Sequence, residues 1–586
     1  MEHVGPVRYI AALSLVALLA GCGGGGGGST AVVPDPPATF EVLSAVPADG
    51  QTGIPVNGTI RVTFNQAADA STIEGGITAS SFLGDLSGSV SYNPSTNTAI
   101  FTPGTQLAPL TEYTVTISTS VRSSGGDPLS APYVLRFTSE SSFWAFDFTT
   151  FGSYLVPARK VGEGDHCYVY LEEGRTVAGS TIDALISQFD NAIYHNIVAN
   201  FGNEPNPGAD GLGKVFILLL DIRDGYTPGG GYIAGYFYSV NEESNAVVPT
   251  SNQKEVFFMD IDPGNPASPT FYKTLAHEFQ HMVHWEQKSN DDTWLDEAMS
   301  EIAPAYAGYG PNYGRVYTFE SGTNRSDSLT DWPSNAGLKD YAVVYMWAQY
   351  MADRFPADSF KGILADPNTG VASVDNYIAS SYPPSGFASV FRDWSIAVFS
   401  GNAISWPGRP EWSYTSINTW PGTYGGITLP GLLTDSNRNV AALPSLARWS
   451  INLFWYTSAS ANPSLTWTAG VAPAPQASLY DWNTGGAMTF DMVSGMPYLY
   501  DNAAVLILQN AGGSATGSST TANPAILGDS STVPSPAAKM RDVSENRASK
   551  SLSEAAGEPV PICVQDFLSE RVKAMRARAK EKRSGG

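Results

Sequence analysis

The order of apolar and polar residues predicts that the chain begins, after its first 38 residues, with a β-rich unit. Between residues 39 and 139, short segments of alternating apolar and polar residues are separated by Gly, Pro, Asn and Asp. Such alternation is typical of an antiparallel β-sandwich of about 100 residues. Four segments predict strands: 59–64, 99–102, 113–117 and 133–137.

The pattern changes over residues 140–415, which we assign to one α+β domain. Two apolar runs at 215–220 and 255–260 predict buried strands. Helical patterns follow at 293–303 and in the segment that begins at Asp340.

The remainder of the chain is predicted to be β-structured and then irregular. Residues 430–515 return to strand-like patterns, as at 449–456, and predict a small C-terminal β domain. Residues 516–586 are rich in Gly, Ser, Ala and Pro and then become basic, so we assign them to a low-complexity linker and tail. The basic end at 564–583 is either a short amphipathic helix or a solvated tail.

Composition narrows the class of protein. The 586 residues include 32 Lys and Arg against 55 Asp and Glu, a net charge of −23. Apolar residues make up 42% and aromatic residues 11%, which is enough for several packed cores. The acidic balance argues against nucleic acid as a partner, because phosphate binding needs a basic surface.

The N-terminus has the form of a secretory signal over residues 1–21. Arg8 precedes an apolar stretch at 10–19, which is too short to span a membrane comfortably. The sequence then reads LAGC and resembles the bacterial lipoprotein signal, which implies that Cys22 is lipidated and anchors the chain to the membrane. A Gly- and Pro-rich tether follows at 22–38.

These features predict a lipoprotein of the bacterial cell envelope, at the outer membrane or cell surface, and extracellular if released. The alternative is a plain signal peptide with a chance cysteine. The chain has three cysteines, which excludes a disulfide framework and a Cys-based zinc site. Besides Cys22, Cys167 and Cys563 either pair or remain free thiols.

The strongest chemical signal is an H-E-x-x-H motif in the segment TLAHEFQHMVHW at 274–285. Residues four apart project from the same side of a helix, so His277 and His281 can hold one metal ion. Glu278 then lies beside the ion, where it can accept a proton from the attacking water. His284 is too far along the helix to be a third ligand, so we expect a packing or substrate-pocket role.

A second helix, reading TWLDEAMSEIA at 293–303, supplies the missing ligand. Fifteen residues separate His281 from Glu297, which is enough for the end of one helix, a reversal and the first turn of the next. Glu297 can therefore complete a His, His, Glu set for Zn²⁺ with an open fourth position. Glu301, one turn later, is predicted to accept the other ring N–H of a ligand histidine.

With WLDEAMSE after HEFQHM, the chain resembles the gluzincin metallopeptidases and most of all the hyicolysin family of secreted bacterial zinc proteases. The resemblance is best over residues 160–360 and implies a zincin-type domain. It also implies zinc held by His277, His281 and Glu297, with Glu278 as the base. The gap to the third ligand is shorter than in thermolysin.

Residues 39–139 resemble the bacterial Ig-like module of S-layer and surface proteins. Such modules are usually spacers or stalks. The matching segments are VPADG at 46–50, VTFN at 62–65, FTP at 101–103 and YTV at 113–115.

The sequence thus predicts a surface-tethered zinc endopeptidase that acts on proteins or peptides. By resemblance to aminopeptidase N-like enzymes, Tyr341 is the candidate oxyanion donor and Tyr345 the second, although both can simply pack in the core. Asp210, in a Gly-rich loop, could bind Ca²⁺ or sit in a solvated turn. The alternatives are a non-enzymatic surface adhesin with an inert protease-like domain, and an aminopeptidase. The latter is disfavoured because no acidic amine-binding motif is present.

Overall fold

The computed structural model describes residues 39–431, except 322–323, 325–326 and 334–335, together with 448–457 and the C-terminal strands given below. The predicted signal peptide, Cys22, the tether, Cys563 and the basic segment 564–583 lie outside these residues.

Residues 42–139 form a β-sandwich of two sheets. One sheet has the strand order β1-β3-β7-β6 and the other β2-β9-β8-β4-β5. Along β8, Tyr113, Val115 and Ile117 are buried and alternate with more exposed residues, which explains the period-2 pattern. All four predicted strands are present. The elements are β1 Val42–Val46, β2 Gln51–Ile54, β3 Ile60–Phe64, α1 Ala70–Ile73, β4 Ile77–Ser81, β5 Gly84–Asp85, β6 Gly88–Asn93, β7 Thr98–Pro103, β8 Glu112–Ile117 and β9 Tyr133–Ser139.

The next unit is built on a six-stranded mixed sheet. Its order is β10-β11-β12-β13-β16-β15, in which β12, β13 and β16 are parallel and β15 is an antiparallel edge strand. Every residue of β13 is buried, as expected for a strand covered on both faces. The strands are β10 Ser142–Asp147, β11 Gly152–Glu163, β12 Cys167–Glu172, β13 Val215–Leu220, β14 Gly231–Tyr232, β15 Gly235–Phe237 and β16 Val256–Asp260.

Helices cover one face of this sheet. Val169, Ile217 and Phe257 point from neighbouring strands into a core shared with the helices, whereas Leu218 and Phe258 point into a core on the opposite face. The helices are α2 Gly179–Gln188, α3 His195–Phe201, α4 Pro269–Lys288, α5 Thr293–Pro304, α6 Tyr313–Glu320, α7 Leu338–Arg354, α8 Ser359–Leu364, α9 Gly370–Ser381 and α10 Phe387–Ser400.

The C-terminal region is also β-structured. Two sheets have the orders β19-β24-β21-β22 and β23-β20-β25, and the ring of Trp449 contacts Phe387 of α10 at 4.6 Å between centroids. The strands are β17 Gly422–Tyr424, β18 Ile427–Leu429, β19 Ile451–Thr457, β20 Ser464–Ala469, β21 Gln476–Asp481, β22 Gly486–Asp491, β23 Pro497–Leu499, β24 Ala503–Gln509, β25 Ala522–Leu527 and β26 Val560–Pro561.

Two of these strands differ from the assignment of 516–586 to linker and tail. β25 pairs with β20, and β26 pairs with β14. Composition did not indicate them because strand pairing uses main-chain groups, which a Gly-, Ser- and Ala-rich segment also supplies.

Only Glu140 and Ser141 separate the last sandwich strand from β10. The Glu140 carboxylate accepts the Val56 N–H at 3.0 Å, and the Glu140 N–H donates to the Ile54 carbonyl at 2.7 Å. Asn245 of the α+β unit donates from Nδ2 to a sandwich carbonyl at 3.2 Å. The junction is therefore a bonded, two-residue connection.

Cys167 is a free, fully buried thiol, and burial raises its pKa to about 12. In the described part of the chain, no helix has the length and apolar character needed to cross a membrane.

Candidate metal centre

His277, His281 and Glu297 come together at one point between α4 and α5. One ligand atom from each residue lies within 4.8 Å of the others. The two imidazole Nε2 atoms are 3.0 Å apart, and each is 3.7 Å from Glu297 Oε2. Two imidazoles and a carboxylate are a donor set that suits Zn²⁺, and all three side chains are buried. The residues fit the predicted ion.

Local sequence explains this geometry. The Ser268 hydroxyl caps α4 by accepting the Phe271 N–H at 3.2 Å, and Pro269 occupies the first turn. The apolar stripe of α4, which includes Leu275 and Met282, packs into the core on the helical face of the sheet. The two ligand histidines therefore project away from the sheet toward α5.

Asp296 orients His281, a role that the sequence analysis did not assign. Asp296 Oδ1 lies 2.9 Å from His281 Nδ1, and Ser300 Oγ lies 3.0 Å from the same nitrogen. A proton on Nδ1 leaves the lone pair of Nε2 directed at the metal position. The signal available in the sequence was the acid directly before Glu297.

Glu301 does not form the hydrogen bond predicted for it. Its Oε1 is 3.9 Å from His277 Nδ1, beyond hydrogen-bond distance. Its carboxylate instead accepts two bonds from Arg315, at 2.8 Å from Nε and 2.6 Å from Nη2. The planar guanidinium satisfies both carboxylate oxygens at once, which a ring N–H cannot do.

Glu278 is held next to the ligands by the edge strand. Its Oε2 accepts the Phe237 N–H of β15 at 2.9 Å, and the residue is 2% exposed. Burial raises the pKa of Glu278 to about 7, although the His281 ring and the Phe237 N–H act in the opposite direction. A carboxylate in this environment is suited to take up a proton near neutral pH.

The structure distinguishes between the two candidate tyrosines. The Tyr345 hydroxyl accepts the Asn312 N–H at 2.7 Å and donates to Gln349 at 2.9 Å, so it is committed to the core. Tyr341 is also buried, with its ring centroid 5.2 Å from the Arg315 guanidinium carbon. Tyr341 thus contacts the arginine that binds Glu301.

His284 lies one turn beyond His281 and is buried, 2% exposed. Its Nε2 is 3.1 Å from Asp291 Oδ2, and its Nδ1 is 3.4 Å from Asp296 Oδ1. The imidazole therefore packs between two aspartates, one of which contacts a ligand histidine.

The expected alternative role of Asp210 in calcium binding is not supported. Asp210 is buried, and its carboxylate faces the Lys254 ammonium at 3.7 Å. A lysine occupies the place that a cation would take. Within the described residues, Asp210 also belongs to no cluster of three potential metal ligands.

The comparisons with known proteins agree with this organisation. Residues 36–139 match the family model described as a bacterial Ig-like domain, which confirms the Ig-like module. Neutral metalloprotease ShpI of Staphylococcus hyicus is 34% identical over 215 residues, covering 34% of this chain and 48% of that protein. The chain thus matches about half the length of this curated relative. It is multidomain, with the Ig-like sandwich followed by a mixed α/β region.

Solved structures add little. The S-layer protein rSbsC(31-844) shares 23% identity over 19% of this chain and 15% of its own, with a TM-score of 0.15. L,D-transpeptidase 1 of Mycobacterium tuberculosis shares 18% identity over 21% of this chain and 54% of its own, with a TM-score of 0.13.

Proposed function

We propose that this protein is a zinc-dependent endopeptidase of the cell surface. The observation that carries the proposal is the convergence of His277, His281 and Glu297 within 4.8 Å, with the Glu278 carboxylate fixed beside them. The similarity to a protein named neutral metalloprotease supports the same reaction class.

Zinc bound by these three residues would polarise the scissile carbonyl and lower the pKa of the attacking water toward 7. The remaining steps belong to the chain itself. The Phe237 N–H holds Glu278 Oε2, so Oε1 is the atom available to accept the water proton. Glu278 then delivers that proton to the leaving amine.

Two further groups support the reaction. Asp296 keeps His281 in the tautomer that presents Nε2. We assign Tyr341, which lies beside Arg315, as the donor to the developing oxyanion. If this role is correct, Tyr341→Phe lowers kcat with little change in zinc content.

The location of the enzyme is inferred from the N-terminal sequence. A lipid at Cys22, the Gly-rich tether and the Ig-like sandwich would hold the α+β unit away from the membrane. Mass spectrometry of the purified N-terminal peptide would detect the lipid, and Cys22→Ser would release the protein into the medium.

The central test compares the full-length chain with Glu278→Gln, using internally quenched peptides with an acetylated N-terminus. We expect one zinc per chain in both proteins and cleavage by the parent alone. Glu286→Gln is the matched control, because Glu286 is exposed on the same helix. Cleavage by Glu278→Gln at the parental rate, or a folded parent without zinc, would refute the proposal.

A further inference from the structure

Lys273 lies on the active-site helix one turn before His277. Residues 273 and 277 differ by about 40° around α4, whereas residues 273 and 275 differ by about 160°. Because Leu275 packs in the core against the sheet, Lys273 projects from the opposite face, which is the face of the ligand histidines.

The neighbours of Lys273 define two walls beside it. Thr274 lies against the edge strand, since a Cβ placed on Gly235 would meet its methyl group at 3.1 Å. Tyr272 lies on the other side, with its ring centroid 6.3 Å from that of Tyr309, which follows α5. Lys273 therefore stands between the edge strand and the segment after α5, in line with His277.

No described residue neutralises this lysine. Lys273 is partly buried, and it forms no ion pair or hydrogen bond with the described residues. The two more buried lysines are each satisfied: Lys254 faces Asp210 at 3.7 Å, and Lys288 donates to two backbone carbonyls. Burial, with no compensating charge, lowers the pKa of the Lys273 ammonium.

An unpaired lysine is notable in a chain with 55 acidic and 32 basic residues. Partly buried charges are normally paired, because desolvation is costly without a partner. The missing partner would be supplied by a peptide bound beside the ligand histidines. A negatively charged partner would neutralise the ammonium, and a carboxylate is the negative group that unmodified peptides carry.

We propose that Lys273 is a specificity determinant that binds a substrate carboxylate within two residues of the scissile bond. This inference rests on the proposed peptidase function. The four residues from Lys273 to His277 rise about 6 Å along the helix axis, and an extended peptide advances about 3.4 Å per residue. A substrate residue one or two positions from the cleaved bond therefore lies within reach of the Lys273 side chain.

The test uses C-terminally amidated, N-acetylated quenched peptides that differ only in Asp, Asn or Lys at positions flanking the cleaved bond. The parent should cleave the best Asp peptide about tenfold faster in kcat/KM than its Asn counterpart, as for one charge-assisted hydrogen bond. In Lys273→Met this ratio should fall to about one, and in Lys273→Glu the Lys peptide should be preferred.

Lys361→Met provides the matched control, because Lys361 is an exposed lysine on another helix and should leave the ratio unchanged. Zinc content shows that each variant is folded. A peptide with Asn at every flanking position and a free C-terminal carboxylate separates side-chain recognition from capture of the chain end. If only that free carboxylate is preferred, the assignment to a side chain near the scissile bond is wrong.

A binding measurement keeps this inference separate from the proposed function. The zinc-loaded Glu278→Gln protein should bind the Asp peptide with a lower Kd than the Asn peptide, and the double variant with Lys273→Met should not discriminate. This holds even if no peptide is cleaved, an outcome that would count against the peptidase alone. Equal Kd values in Glu278→Gln, or discrimination that survives Lys273→Met, would overturn the role of Lys273.

Discussion

Glu255, which lies 22 residues before His277, should make the stability of the α+β unit depend on pH. It directly precedes β16 and is 2% exposed, with Asp210 and Lys254 beside it. Its Oε1 accepts the Ala209 N–H, whereas its Oε2 has no hydrogen-bond partner among the described residues. Burial raises the pKa of Glu255 from 4.5 to about 7, with Asp210 acting in the same direction.

The direction of this pH dependence follows from the difference in proton binding between the folded and the unfolded chain. Between pH 4.5 and 7 the folded chain binds this proton more tightly than the unfolded chain, so the free energy of unfolding falls as the pH rises. The difference in pKa corresponds to about 3 kcal/mol, present in full below pH 4.5 and lost above pH 7. Glu255→Gln cannot titrate and should lack this part of the pH dependence.

Urea denaturation followed by tryptophan fluorescence is a suitable assay, because all 13 tryptophans lie beyond residue 139 and none is in the sandwich. Between pH 5 and pH 8, the parent should lose about 2–3 kcal/mol more than Glu255→Gln. Asp260, whose pKa burial also raises to about 7, is present in both chains and cancels in the difference. Parallel pH dependences would refute the reasoning.

Other substitutions test the packing and the ligand geometry. Asp296→Ala should weaken zinc binding about 10- to 100-fold in chelator competition, whereas Glu286→Gln should not change it. Gly208→Ala should lower the urea midpoint, by about 1–3 kcal/mol, because the new Cβ would stand 1.6 Å from Glu255 Oε2; an unchanged midpoint would contradict the packing. Leu135→Ala should destabilise the sandwich by about 2–5 kcal/mol in circular dichroism without altering tryptophan emission, since Leu135 is fully buried there.

The sequence could predict those parts of the candidate site whose residues lie close together along the chain. His277 and His281 share one helix, so a four-residue spacing suffices to place them side by side. Glu297 required only a short reversal between two helices. The partner of Glu301 could not be predicted, because Arg315 arrives from α6 and helix packing, rather than spacing, selects it.

The same distinction applies to the fold. The sandwich strands and β13 were predictable because burial on one or both faces leaves a pattern in the side chains. The edge strand β15 has only three residues, which is too short for a period to show. This strand contributes to the candidate site through its main chain: the backbone N–H of residue 237 binds Glu278, and any side chain at that position except that of proline would leave this N–H in place.

The two-residue junction between the sandwich and the α+β unit affects how the α+β unit would be held at a cell surface. Because β9 runs into β10 through Glu140 and Ser141, with bonds to Val56 and Ile54 on the way, the backbone leaves little slack at the joint. Such a joint would hold the candidate metal centre at a nearly fixed distance from the sandwich, as a rigid arm does. Lengthening the joint by a few glycines would turn that arm into a hinge, with every bond of the candidate site left intact.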